Sequence, residues 1–492
     1  MKFLLTFSAL FLLSWSSVTS ASYQDLNNLL NKIKEAENKK LPQTALDLAK
    51  DLEVKAKAEK EEGIYLRAIA KQILNKAHIQ GKQPKEKVKI LREEIQKEKE
   101  ERRPILKSLL AVWFWHYYQQ NSYKFLNRTQ TGNWQEDDFE TWDLPKLQQE
   151  IITLFNEALK DQEVLKKISI QKYRGLIERG NIVAEDSTLF EFLSHEIINF
   201  YTNFYATTPS SEDDAPITTN SIAFNDYKGF MEAKLEELPP SLIADALKVY
   251  QGLMRFYAQK KNQELLLDVD LNRWQLLKER AVGEERIELI QKKYQSLAEE
   301  FKAFPTSTMA LYYLALIHQD KKELVKAVEV CQEADKRFKD SDGARHCRNL
   351  IKTITQKYFQ LEIENTINES NLQTVLRYKN INKLYFRIIK DDWDSYLTQE
   401  WADLGENPRR DRIQKLINNK AEKEWSIDLK MTDDYQVRRE KIAIPKLPYG
   451  FYQIVASDKA DFSESDDLVL YRSFWSTDTT IMVRSWYNEV QA

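Results

Sequence analysis

Five residues, His195-Glu196-Ile197-Ile198-Asn199, come closest to a chemical motif in this chain. The zinc-protease pattern His-Glu-x-x-His places two imidazoles one helical turn apart on a metal-facing side, with the Glu as general base. Asn199 stands where the second imidazole belongs, and the histidines at 78, 116, 318 and 346 supply no convincing third ligand. No metal site is expected. His346-Cys347 invites a thiol–imidazole reading, but neighbours on a helix point about 100° apart and cannot form a dyad directly. Asp137-Asp138 and Asp391-Asp392 would act as acid and base only beside a third group, so they read as exposed turn acids. The aromatic run Trp113-Phe114-Trp115-His116-Tyr117-Tyr118, with Tyr123, could stack sugars. Because it covers every face of a helix, it reads as a buried central helix. No glycine-rich phosphate loop is present. The residues therefore describe a protein that is not an enzyme and carries no cofactor.

Two cysteines remain, Cys331 and Cys347. In an exported chain they could form one disulfide, worth about 3 kcal/mol for so short a loop. Two separately buried thiols are the alternative. Asn127-Arg128-Thr129 and Asn368-Glu369-Ser370 match the glycosylation pattern, which matters only in a host with that machinery.

The elements that would position these residues fall into two kinds. Lys+Arg number 73 against Asp+Glu 76, a net charge of -3, which argues against a general nucleic-acid binder. Only 11 of 492 residues are Gly while 30% are charged, a balance that favours long solvated helices. Ile243, Leu247, Tyr250, Met254 and Tyr257 repeat at helical spacing after Pro239-Pro240, with Ser241 as N-cap. Leu147, Ile151, Phe155 and Ala158 do the same behind Asp143 and Pro145. Lys85–Arg103 reads as one charged helix, opened by Pro84 and ended or kinked by Pro104.

Pro42–Ile73, with a break at Gly63, resembles a tetratricopeptide helix pair, as does Thr306–Ile354. In the second, Ala310, Leu314 and Ala315 belong to one helix and Ala327, Val328, Cys331 and Ala334 to the next. Ala344, Cys347 and Ile351 begin a third, after an exit turn at Phe338 and Asp340–Gly343. The period is not kept through the middle. An irregular TPR-like helical solenoid is expected over residues 21–360, with loops at Ala206–Asn220 and Asn127–Glu140.

Residues 1–20 have the charge, apolar run and small residues (Val18, Ser20) of a signal peptide. With no Cys after that run a lipid anchor is not expected, and no later stretch is apolar enough to span a bilayer. Export to the periplasm, outer surface or medium follows. Residues 361–492 alternate as strands do, at Leu361/Ile363, Leu384–Ile388, Ile442/Ile444, Phe451–Ala456, Leu468–Phe474 and Thr479–Ser485. A β-sandwich is expected there, interrupted by a charged helical insertion at about 393–425.

Four stretches, in this order, resemble the N-terminal region of bacterial alpha-2-macroglobulin family proteins of the Bacteroidetes type, which have a helical N-terminus. They are Asp186–Glu196 with Phe200-Tyr201, the Ala327–Cys347 helix pair, Tyr378-Lys379-Asn380 running into Lys383–Arg387, and Ile444–Tyr452 as a closing hairpin. The resemblance covers most of the mature chain. It implies a macroglobulin-type, fibronectin-like sandwich after the helices, making the whole an α+β multidomain protein. It also implies kinship with protease traps, in which a bait segment is cut and some members capture the protease through a thioester. That thioester needs Cys-x-Glu-Gln. Here Cys331-Gln332-Glu333-Ala334 and Cys347-Arg348-Asn349-Leu350 both depart from it, and no bait region is identifiable. The chain stops about where a second macroglobulin domain would begin. The expectation is a secreted, non-enzymatic docking or scaffolding module with protein partners, proteases or envelope proteins among them. The alternative is an exported helical-repeat adaptor unrelated to protease inhibition.

Overall fold

The computed structural model describes residues 23–81, 84–126, 134–136, 138–177, 186–207, 216–368, 372–402, 408–431, 433–463, 468–479, 484–486 and 489–491. The signal-peptide segment, Asn127-Arg128-Thr129 and most of the Ala206–Asn220 loop lie outside them. The chain is helical first and strand-rich after residue 357. It divides into two compact units: residues up to Lys261 plus Gln275–Val282, and Asn262–Trp274 plus Gly283 onward.

The first unit contains α1 (residues 23–38), α2 (Pro42–Ala58), α3 (Glu62–Ile79), α4 (Pro84–Lys97), α5 (Arg103–Leu126), α6 (Leu144–Ala158), the short α7 (Gln162–Leu165), α8 (Leu189–Thr207), the short α9 (Tyr227–Glu232) and α10 (Leu242–Gln259). Local signals set several of these starts. The Asp143 carboxylate accepts from Lys146 N at 3.0 Å, and Ser241 Oγ from Ala244 N at 3.1 Å. Pro42, Pro84 and Pro145 sit in first turns, where a missing N–H costs nothing. Pro104 does so too, in α5. The single helix expected over Lys85–Arg103 therefore ends early: α4 stops at Lys97, and Arg103 already begins α5. Gly63 is likewise not a break. It lies in the first turn of α3, where a Cβ would come within 2.6 Å of the backbone of Tyr173 and Gly175.

Helix α11 (Gln263–Arg280) straddles the two units. In its first part Arg273 is fully buried and donates to Asp270, Nε at 2.8 Å and Nη2 at 2.6 Å, while Trp274 Nε1 donates to the other Asp270 oxygen at 3.2 Å. These bonds compensate a buried charge pair that would otherwise be expensive.

The second unit continues with α12 (Arg286–Glu300), α13 (Ser307–Asp320), α14 (Leu324–Arg337) and α15 (Asp342–Thr355). Alanines and Gly343 line the crossings. A Cβ on Gly343 would fall 2.2 Å from the Thr308 carbonyl carbon and 2.4 Å from Met309 N, so the starts of α13 and α15 meet backbone to backbone.

The strands follow in two sheets. One has β1 (Tyr358–Glu362), β3 (Gln373–Lys379) and β6 (Arg438–Ala443) in the order β1-β3-β6, all antiparallel. The other has the order β2-β8-β7-β4-β5, made of β2 (Thr366–Ile367), β8 (Val469–Ser476), β7 (Gly450–Ser457), β4 (Lys383–Lys390) and β5 (Lys423–Asp428). Only β2, which pairs with β8, runs parallel. β9 (Arg484–Trp486) and β10 (Glu489–Gln491) form a separate pair. Leu361, Leu376, Tyr378 and Ile442 from the first sheet share one buried core with Phe386, Ile388, Tyr452, Ile454 and Phe474 from the second, so the sheets pack face to face.

Two expectations are corrected here. The Pro445–Gly450 run does not close a hairpin: β6 pairs with β3 and β7 with β4 and β8, so the chain crosses between sheets. The insertion holds α16 (Trp393–Ala402) and α17 (Pro408–Asn418) but ends by residue 422, because β5 begins at Lys423. Ile413 and Leu416 of α17 pack with Val455 and Val469 on the outer face of the larger sheet.

The sandwich is fastened to the helices of its own unit by polar caps. Asn380 sits at φ 59° between β3 and β4, and its Nδ2 donates to the Ile354 and Gln356 carbonyls at 3.0 and 3.1 Å. Lys379 Nζ donates to Thr353 O at 3.0 Å, and Gln436 Nε2 to Lys322 O at 2.6 Å. Substituting Gly343→Ala should lower the denaturant-unfolding midpoint, at a cost of about 1–3 kcal/mol for the overpacked contact. An unchanged midpoint followed by circular dichroism would refute the backbone contact between α13 and α15.

Candidate functional site

The aromatic run divides between the core and the surface. On α5, Phe114, Trp115 and Tyr118 are buried, Trp113 and Tyr117 half-buried, and His116 exposed. The last three, with Gln120, form one wall of a groove of about 220 Å³, and Phe114 reaches its floor. Leu74 of α3, Pro84, Lys87 and Val88 of α4, and Phe139 complete it.

Phe139 belongs to a single 3-10 turn, Phe139–Thr141, whose cap is Asp138: its carboxylate accepts from Glu140 N at 3.2 Å and its carbonyl from Thr141 Oγ1 at 2.7 Å. Lys85 holds the same carboxylate from α4. Edge-on contacts then fix the rings, Phe114–Phe139 at 5.2 Å and Tyr117–Phe139 at 4.9 Å between centroids. Tyr117 O–H donates to Glu140 Oε1 at 3.2 Å. An apolar floor with half-exposed Trp and Tyr edges and a rim of His116, Gln120 and Lys87 can bind by burial and stacking. It holds no nucleophile with a base beside it.

Phe139 falls in the stretch read from the sequence as the Asn127–Glu140 loop. The available signal was its spacing from Trp134 and Trp142, since a solvated loop has little reason to carry three large rings.

The other singled-out residues are not brought together. His195 and Asn199 are exposed on α8 and Glu196 is half-buried, its carboxyl raised above the usual carboxylate range by burial. No group of three or more His, Cys, Asp or Glu is placed to hold a metal ion among the described residues. His346 is exposed and stacks on Tyr312 at 5.0 Å, while Cys347 points into the core. Asp391 accepts from Gln453 Nε2 at 3.0 Å and Asp392 from Ser395 N at 2.9 Å, both structural uses. No helix among the described residues is long and apolar enough to cross a membrane.

Cys331 on α14 and Cys347 on α15 are buried thiols, unbridged in the structure. The neighbouring Cys331 thiol, together with burial, pushes the Cys347 thiol well above its ordinary value. In comparisons with known proteins, the chain matches no family model, no curated protein and no solved structure.

Neighbouring thiols can bridge, and because the Cys347 thiolate is suppressed the bridge should close faster at alkaline pH. Incubation with oxidised glutathione, which takes up the two electrons and two protons, should give a Cys331–Cys347 bridge and a higher unfolding midpoint. Alkylation after unfolding counts the thiols left, and two reactive thiols in the oxidised sample would contradict the contact.

Proposed function

We propose that this chain is an exported, non-enzymatic protein of the alpha-2-macroglobulin type, in which an irregular TPR-like helical array docks a protein partner and a macroglobulin-like sandwich follows. The observation that carries the reading is the combination of helical hairpins with a two-sheet sandwich, strands β1-β3-β6 against β2-β8-β7-β4-β5. Crossing between sheets at Pro445–Gly450 and a short parallel edge strand are features that immunoglobulin- and fibronectin-like sandwiches use. Consecutive helices pack as neighbours, α2 with α3 and α13 with α14 and α15, as stacked repeats do. Residues 1–20 supply the export signal in this reading.

Docking rests on the groove along α4 and α5. Half-exposed Trp and Tyr over an apolar floor are the residue types that anchor protein interfaces. Covalent capture is not part of the proposal: Cys331-Gln332-Glu333-Ala334 lacks the Gln a thioester needs, and its thiol is buried against Cys347. The same groove would serve an exported adaptor with no link to protease inhibition, and one experiment separates the two readings.

The full mature chain is incubated with serine, cysteine and metalloproteases, and its partner is captured by cross-linking in its own cells. The expected result is undiminished protease activity and a specific partner lost on Trp113→Ala, at a cost of about 2 kcal/mol or more. Stoichiometric inhibition of a protease would overturn the non-inhibitory reading. Capture unaffected by Trp113→Ala, with circular dichroism unchanged, would remove the groove from it. A partner that belongs to no protease-control system would favour the adaptor.

A further inference from the structure

A second cleft of about 470 Å³ lies at the other end of α4 and α5, lined by Ala56, Lys57, Lys60, Glu62, Tyr65, Lys97, Glu98, Lys99 and Arg102. Five of these nine residues are cationic, in a chain whose net charge is -3. Its size is that of a ligand site.

The floor is a closed network. Arg102 donates to both Glu62 oxygens, Nε at 2.6 Å and Nη2 at 2.9 Å, and its Nη1 donates to Glu98 Oε2 at 2.9 Å. Its guanidinium lies 4.4 Å from the centroid of the Tyr65 ring, and the Tyr65 hydroxyl donates to the other Glu98 oxygen. Both carboxylates are thus held by Arg102 and Tyr65. Lys97 leans on Glu94 at 3.1 Å. Lys57 and Lys60 make no ion pair among the described residues, and Lys99 acts on Glu62 only through space. Lys60 is held at φ 60° by the α2–α3 turn, which fixes its backbone at the cleft rim.

We propose that this cleft binds an extended acidic peptide. The free donors are lysine ammoniums, point charges that select charge rather than the planar fork of a single carboxylate or phosphate. The one guanidinium that could grip a lone anion in bidentate fashion is already spent on Glu62. Several lysines spread round an open cleft suit a chain carrying several carboxylates better than one compact anion. The site shares no lining residue with the aromatic groove and does not depend on it.

The test uses the full mature chain and fluorescent hexaglutamate, read by anisotropy at low and high salt. The expected result is saturable binding that weakens with salt and falls about tenfold in the Lys57→Ala/Lys60→Ala/Lys99→Ala variant. Trp113→Ala should bind hexaglutamate as the parent does, so failure of the groove and failure of the cleft are distinguishable. The far-ultraviolet spectrum confirms that the triple variant folds. Binding no tighter than to a neutral peptide of equal length, or unchanged in the triple variant, overturns the proposal. Displacement by pyrophosphate at concentrations equal to those of the peptide would mark a small-anion site and overturn it as well.

Discussion

Each helix leaves four N–H and four C=O groups without partners at its ends, and burying them unpaired is costly. In a chain made of many short helices this constraint decides where turns go and what touches what. At the starts, Asp143, Ser241, Ser341 and Asp226 put a side-chain oxygen on an early N–H. At four ends a lysine takes the left-handed conformation, with φ of 58°, 60°, 56° and 60° at Lys40, Lys60, Lys261 and Lys322, and after all but Lys261 the turn closes on the helix. The next N–H then reaches back five residues: Leu41 to Ala36, Glu61 to Ala56 and Glu323 to His318, at 2.8–2.9 Å. Glycine normally fills that position. Lysine tolerates it here at some cost, while its ammonium complements the negative end of the helix dipole. The last carbonyls of α15 use a third solution, Asn380 from the sandwich.

The same logic links the two candidate surfaces. α4 and α5 are joined by the short connection at 98–102, so the hairpin has a turn end and a far end. At the turn end collect Lys97, Lys99 and Arg102, and toward the far end Trp113, His116 and Tyr117. One helical hairpin thereby carries an electrostatic surface and an apolar one, which suit different chemistry in whatever they meet.

Much of the helical architecture was legible because its signals are local. Asp143 with Pro145, Ser241 after Pro239-Pro240, and the alanine stripes around Cys331 and Cys347 each lie within a turn or two of what they determine. The misreadings came where a signal has two meanings or is absent. Proline ends one helix as readily as it opens another, which is how Pro104 was misplaced. β5 reads Lys-Glu-Trp-Ser-Ile-Asp, with few apolar residues, because an edge strand has little to bury. Asp270 and Arg273 look like surface charges, and only packing around α11 reveals them as an internal pair. The groove was half legible: the ring-rich stretch of α5 stood out, but Phe139 comes from a distant turn and only tertiary structure brings it there.

The outer strands of the sandwich have a consequence for how the molecule behaves in company. β5 and β6 are largely exposed and dense in Lys, Arg, Glu and Asp, and β2 spans only two residues. Arg409 from α17 reaches the Val469 carbonyl, on the β8 side of the larger sheet, at 3.3 Å. A strand from another chain seeking main-chain partners meets charge, a truncated strand or an occupied carbonyl. Three of the four margins are thus finished; the fourth, β1, carries only Glu362 as a charge. At those three margins main-chain pairing between crowded copies is disfavoured, leaving association there to side-chain surfaces that can discriminate among partners.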